Sequence, residues 1–128
     1  MMPAALWAIA ALLALLAVYM GVVEWRMRRP YEIRYGAVMS PLLRQMLGSS
    51  RPCTTLWHTC YVHDRTTTLN RGGWIHERYH MTAQWDRWPY SFPIRYLWEM
   101  RHGYGCNKFE EAARLAAGEP SECTKVTA

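Results

Sequence analysis

The chain has 128 residues, a formal net charge of +5 and 51% hydrophobic residues, which leaves room for one small domain and excludes a multidomain enzyme within this length. The basic excess is concentrated in Arg26, Arg28, Arg29 and Arg34, directly after an apolar run, and no other stripe of Lys and Arg with interleaved aromatics stands out. That distribution fits charges flanking a membrane segment and argues against a nucleic-acid partner.

In chain order, Pro3 to Val23 carries no charged residue. As a helix this run spans about 30 Å, the hydrocarbon thickness of a bilayer. It lacks the basic start and the small-residue cleavage site of a secretory signal, so residues 1–25 are expected to form an uncleaved transmembrane anchor with the lipid bilayer as partner. Trp7, Tyr19 and Trp25 fall near its ends, where amphipathic rings prefer the interface. Four arginines follow the span and none precede it, which by the positive-inside rule places the C-terminal part in the cytoplasm. The four cysteines, Cys53, Cys60, Cys106 and Cys123, pull weakly the other way, toward an oxidising compartment. They permit two disulfides in three connectivities and have no CxxC spacing, which argues against a cysteine zinc site.

Residues 26–52 read as a juxtamembrane linker with short elements, among them a possible amphipathic helix over Met39 to Leu47 and a loop over Gly48 to Pro52. Residues 53–128 read as the folded domain. Thr54 to Val62 is rich in β-branched and aromatic residues and predicts a strand. Asp64 to Asn70 is polar and turn-like, ended by Gly72-Gly73. Trp74 to about Trp88 reads as a helix stopped by Pro89, and Pro93 opens another through about Arg101, with Tyr96, Leu97 and Met100 as its apolar side. After the turn Gly103-Tyr104-Gly105, Asn107 can cap a last helix, Lys108 to Ala117, closed by Gly118 and Pro120. The order of elements is that of an α+β domain behind one N-terminal helix. A domain of about 100 residues buries a modest core, so a metal or a disulfide would help it materially.

Chemistry concentrates in His76-Glu77-Arg78-Tyr79-His80. Histidines four apart on a helix project from one face about one turn apart, as two imidazoles sharing a zinc ion require. Glu77 follows the first of them and is placed to take a proton from a zinc-bound water, so the pattern supplies two ligands and a general base. The competing reading is an exposed polar helix face. A catalytic zinc takes a third protein ligand and keeps one position open. Candidates for it are Glu99, His102, Glu110 and Glu111. Glu110 is preferred because Ala113 and Ala117, on the same face, would let its helix pack closely against the motif helix. Its rival role is the return partner of a capping box with Asn107, and Glu111 is the runner-up ligand. Tyr104 is the candidate donor to an oxyanion, against a structural role for a buried tyrosine. His58 and His63, five apart near the predicted strand, point to opposite faces and are not expected to share a metal.

These residues resemble the gluzincin branch of the zincin metallopeptidases. The closer likeness is to small bacterial and phage proteins built as a compact zincin core. Those show T-L-G-H, then H-E-x-x-H followed by V-R-Q-Y-E-R-W-G, then L-F-x-P-x-Y-L, and finally Y-x-x-N-P-F-E-x-x-A. Here the corresponding stretches are Thr55-Leu56-Trp57-His58, the motif with Gln84 and Asp86-Arg87-Trp88 after it, Phe92 to Leu97, and Tyr104 to Ala113. Together they cover about half of the chain, Thr55 to Arg114. The last block selects Glu110 over Glu111 by position. The stretch between His80 and Trp88 is one residue longer than the pattern, which puts the family role of the glutamine in question for Gln84. Trp57 replaces glycine and Lys108 replaces proline. The resemblance implies a zincin-like metal site and supplies no substrate. The expectation from the whole sequence is an α+β minimal zincin-like domain with zinc on His76, His80 and Glu110, in a membrane-anchored metallopeptidase hydrolysing peptide bonds with Glu77 as base. The alternative is a non-catalytic, zinc-stabilised structural or interaction protein of the membrane, for example in a phage or cell-envelope assembly. A third reading, an accidental motif in such an assembly protein, stays open at this point.

Overall fold

A computed structural model describes residues 3–36, 53–63 and 68–124. The expected helix over Met39 to Leu47, the loop over Gly48 to Pro52 and part of the turn after Val62 lie outside the described residues.

Helix α1, Ala4–Met27, is long and apolar enough to cross a membrane by length and composition. Most of its side chains project away from the rest of the chain. Its C-terminal part, from Tyr19 onward, touches the domain: Val23 is fully buried, and the Arg26 guanidinium donates to the Tyr61 hydroxyl at 2.6 Å. The chain then enters strand β1, Glu32–Tyr35.

The residues read as one strand, Thr54 to Val62, form two. Strand β2, Cys53–Leu56, pairs antiparallel with β3, Thr59–Val62, across a turn at Trp57 and His58. Their run of β-favouring residues hides the turn from composition. The backbone reveals it: Trp57 has φ of 53°, the left-handed region that glycine adopts at least cost. Its ring offsets that cost by stacking on Trp85 at 4.9 Å and donating its indole N–H to the Pro89 carbonyl at 3.2 Å. Strand β1 lies parallel to β3 on its other edge, giving the order β1-β3-β2.

Helix α2, Arg71–Tyr79, starts three residues before the expected Trp74 because Asn70 caps it, accepting from the Gly73 N–H at 2.7 Å. It continues as a π-helical turn over His80–Trp85. A π turn holds about one residue more than an α turn. Helix α3, Phe92–Glu99, carries Pro93 in its first turn and tightens into a 3₁₀ turn over Met100–His102. Helix α4, Lys108–Ala117, has the expected bounds, with the Asn107 side chain accepting from the Phe109 N–H at 3.0 Å and Gly118 left-handed at φ 70°.

Two apolar clusters form the core. Cys53, Cys60, Val62 and Met81 lie between the sheet and α2, and Trp85, Phe92 and Phe109 lie between α2, α3 and α4. Of the cysteines, Cys106 and Cys123 are joined, while Cys53 and Cys60 are buried thiols. The disulfide ties the segment after α4 back over the turn before it. For a sequence separation of 17, closing that loop contributes about 3 kcal/mol. Gly105 lies beneath it, where a Cβ would meet the Glu122 carbonyl oxygen at 2.8 Å, so no side chain fits. The buried Arg114 clamps the same turn through the Gly105 carbonyl and the carboxylates of Glu111 and Glu122, each at 3.0 Å.

Candidate metal centre

Helix α2 presents His76, Glu77 and His80 inward, all buried, between the sheet and α4. Helix α4 brings Glu110 to meet them. His76 Nε2 is 3.2 Å from His80 Nε2 and 3.2 Å from Glu110 Oε2, and His80 Nε2 is 3.5 Å from Glu110 Oε1. Donors on a tetrahedral zinc at 2.0–2.1 Å lie about 3.3 Å apart, so these spacings fit one ion held by two imidazoles and a carboxylate.

The surrounding groups orient the donors. The His80 Nδ1–H donates to Gln84 Oε1 at 2.7 Å, and the Gln84 amide donates to the Phe109 carbonyl at 2.8 Å. Fixing the proton on Nδ1 leaves the Nε2 lone pair facing the cluster, as a metal ligand requires. The Glu119 carboxylate lies 3.3 Å from His76 Nδ1, without the alignment of a hydrogen bond. Tyr96 donates its hydroxyl to Glu110 Oε1 at 2.8 Å, and Tyr104 to Oε2 at 2.9 Å.

These contacts shift the titrations. Burial alone would depress His80, but the adjoining Glu110 carboxylate outweighs it and pushes His80 up to about 9. Burial would raise Glu110, yet His76, His80 and Tyr96 hold its carboxyl well below the usual carboxylate range. Tyr96 is raised by burial and by the same carboxylate.

Glu77 is held against β2. Its Oε1 accepts from the Cys53 thiol at 3.1 Å and its Oε2 from the Thr55 hydroxyl at 2.5 Å. Cys53, Cys60 and Glu77 form a second buried group of potential donor atoms beside the first. The hydrogen bond to Cys60, then burial and the neighbouring Glu77, push the Cys53 thiol up, so it serves Glu77 as a proton-bearing partner.

A cavity of about 390 Å³ opens beside the cluster. Glu77, His80, Glu110, Tyr96 and Tyr104 line it on one side, and Leu56, Trp57, Trp85, Phe92, Pro93 and Leu97 make the rest largely apolar.

The other ligand candidates lie elsewhere. Glu111 pairs with Arg114, Glu99 with Lys108 at 2.9 Å, and His102 accepts from the Arg101 Nε–H at 3.0 Å. Glu110 has no capping-box role, since the Asn107 N–H bonds the Tyr104 carbonyl instead, at 3.2 Å. His58 and His63 do not meet. His63 lies 3.4 Å from the Thr54 hydroxyl, whereas His58 is buried in the hairpin turn. There its Nδ1–H donates to the Arg29 carbonyl at 2.7 Å and its Nε2 lies 2.6 Å from Asp86, which also accepts from the Tyr31 hydroxyl. His58 thus ties the end of α1 to the end of the motif helix.

Residue typing alone did not single out Tyr96, Thr55 or Cys53 as partners of the cluster. Tyr96 and Thr55 do fall inside the motif blocks of the resemblance, which is the signal that could have found them. Cys53 carries no such signal. No protein-family model, no curated protein and no solved structure matches the chain.

Proposed function

We propose that this chain is a membrane-anchored zinc hydrolase of the gluzincin kind, acting on peptide bonds. One observation carries the reading: two buried imidazoles and a buried carboxylate, 3.2 to 3.5 Å apart, stand beside the separately held Glu77 carboxylate, and His80, Glu110 and Glu77 line an open cavity. A structural zinc site closes its fourth position with protein and has no use for the carboxylate. Here the cavity provides the open side, and Glu77 is held by Thr55 and Cys53 rather than by the donors.

Zinc bound to His76, His80 and Glu110 would supply Lewis acidity and an activated water at neutral pH. The chain's own residues do the rest. Glu77 is the general base, aimed by two hydrogen bonds to β2. Tyr104 lines the cavity and is the donor proposed for the substrate's carbonyl oxygen as charge develops there. Its hydroxyl can leave Glu110 because Tyr96 still orients that carboxylate through the other oxygen. The apolar walls favour a substrate with large hydrophobic groups beside the scissile bond.

The test is cleavage of a mixed peptide library by the full chain in bilayers, followed by mass spectrometry. Cleavage abolished by a chelator and restored by zinc is the expected result. A chain with zinc bound and no chelator-sensitive cleavage would contradict the hydrolase reading and leave a structural metal.

A further inference from the structure

Helix α3 is apolar on two sides. Phe92 and Tyr96 face the core and the cavity, but Ile94, Leu97 and Trp98 are 72%, 49% and 65% exposed. With Arg101 they recur at i, i+3, i+4 and i+7, which is one continuous stripe. A water-facing helix carries polar residues in that stripe, and an exposed apolar patch of this kind marks a surface that is covered in use. The Arg101 guanidinium sits 4.2 Å over the Trp98 ring, pairing an amphipathic ring with a cation as side chains at headgroup level do.

Helix α1 fixes the depth of this face. The Tyr19 hydroxyl donates to the Tyr90 carbonyl at 2.7 Å, two residues before α3 begins, and Tyr19 also lines the cavity beside Leu97 and Pro93. Glu24 is the first charged residue of α1. Tyr19 precedes it by five residues, which along a helix is about 7 Å. If the charges from Glu24 onward stay in water, Tyr19 and the carbonyl bonded to it sit at or below the interfacial layer. The start of α3 and the cavity wall are therefore brought to the same level.

We propose that the bilayer covers the Ile94, Leu97 and Trp98 face. Helix α3 lies in the boundary between headgroups and acyl chains beside α1, and the cavity is entered from the membrane, taking an apolar chain that leaves it. The seating of α3 rests on α1 spanning the bilayer and not on any metal. Only the identity of the entering chain, a membrane-embedded peptide segment, rests on the hydrolase reading.

The experiment uses the full chain in liposomes of phosphatidylcholine and phosphatidylglycerol, with nitroxide labels on Ile94→Cys, Trp98→Cys and, for comparison, Thr82→Cys. Thr82 is exposed in a cleft beside Arg87 and Lys108. The native thiols Cys53 and Cys60 are buried, and unlabelled signal is set by the unsubstituted chain. Collision rates with oxygen, which concentrates in lipid, and with a water-soluble nickel complex are read at each label. The expected oxygen-to-nickel ratio is several-fold higher at 94 and 98 than at 82. Ratios at both positions equal to that at 82 would overturn the proposal. So would spin–spin broadening between labels at 94 on separate chains, which would assign the face to self-association. Neither readout involves metal or cleavage, so failure here is distinct from failure of the hydrolase reading.

Discussion

Glu77→Gln is expected to abolish hydrolysis while leaving metal binding intact. The substitution keeps the shape of the side chain and an acceptor for the Thr55 hydroxyl, so α2 stays docked on β2. What it removes is, among the described residues lining the cavity, the one carboxylate outside the proposed donor set. Loss of a positioned general base lowers turnover by about 10²–10⁴-fold. Glu77 is outside the His76, His80 and Glu110 group, so metal content of the variant should equal that of the unsubstituted chain. The measurement is chelator-sensitive cleavage at matched metal loading. Retention of activity within a few-fold would remove Glu77 from the chemistry, and loss of metal together with activity would make it a ligand instead.

Glu110→Ala and Glu111→Ala should separate sharply in metal affinity and in its pH dependence. Three or four donors together supply about 10–16 kcal/mol at a zinc site, or roughly 3 kcal/mol each. Glu110→Ala is therefore expected to weaken binding a hundredfold or more. Glu111, committed to Arg114, should leave affinity unchanged. The pH dependence gives an independent readout. In the metal-free chain His80 is pushed up to about 9 by Glu110 against burial, so below that pH the cluster holds a proton that an incoming cation must displace. Apparent affinity should then rise about tenfold per pH unit from pH 6.5 toward 9 and level above it. Glu110→Ala removes the group that holds the proton, leaving burial to depress His80, and the slope should flatten near neutrality. Competition titration with a chromophoric chelator measures both. Equal affinities and slopes for the two variants would show that Glu110 does not ligate.

Much of the donor set is legible from local rules. Histidines four apart share a helix face whatever the fold, and α4 is bounded by Asn107 and Gly118, whose capping roles are local. What local rules cannot supply is the partner across space. Glu110 and Glu111 are both acidic residues in the first turn of α4, and only the packing of that helix against α2 decides which one meets His76. The hairpin turn escaped because Trp57 is an unfavourable residue for a left-handed backbone, retained by contacts with Trp85 and Pro89 that are distant in sequence. Gln84, four residues after His80, shares its helix face by the same rule that joins the two histidines, and its Oε1 meets His80 Nδ1. The apolar side expected of α3, Tyr96, Leu97 and Met100, divides once the chain is folded: Tyr96 reaches Glu110, whereas Leu97 is left exposed beside Ile94 and Trp98.

The hairpin has a further consequence for how anchor and site are joined. His58 in its turn holds the backbone at Arg29, just past α1, and Asp86, just past the π turn that carries His80. The end of α1 and the end of the motif helix are thereby fixed to one side chain. The position of the cavity relative to α1 is set by that connection together with the bond from Tyr19 to Tyr90.

The most direct test of the account is metal analysis by mass spectrometry on the full chain, purified in a mild detergent without chelator and compared with His76→Ala prepared in parallel. One zinc per chain in the unsubstituted protein and none retained by His76→Ala is the predicted result. Absence of stoichiometric metal from the unsubstituted chain after incubation with zinc, or equal content in the two, would contradict a metal centre at His76, His80 and Glu110.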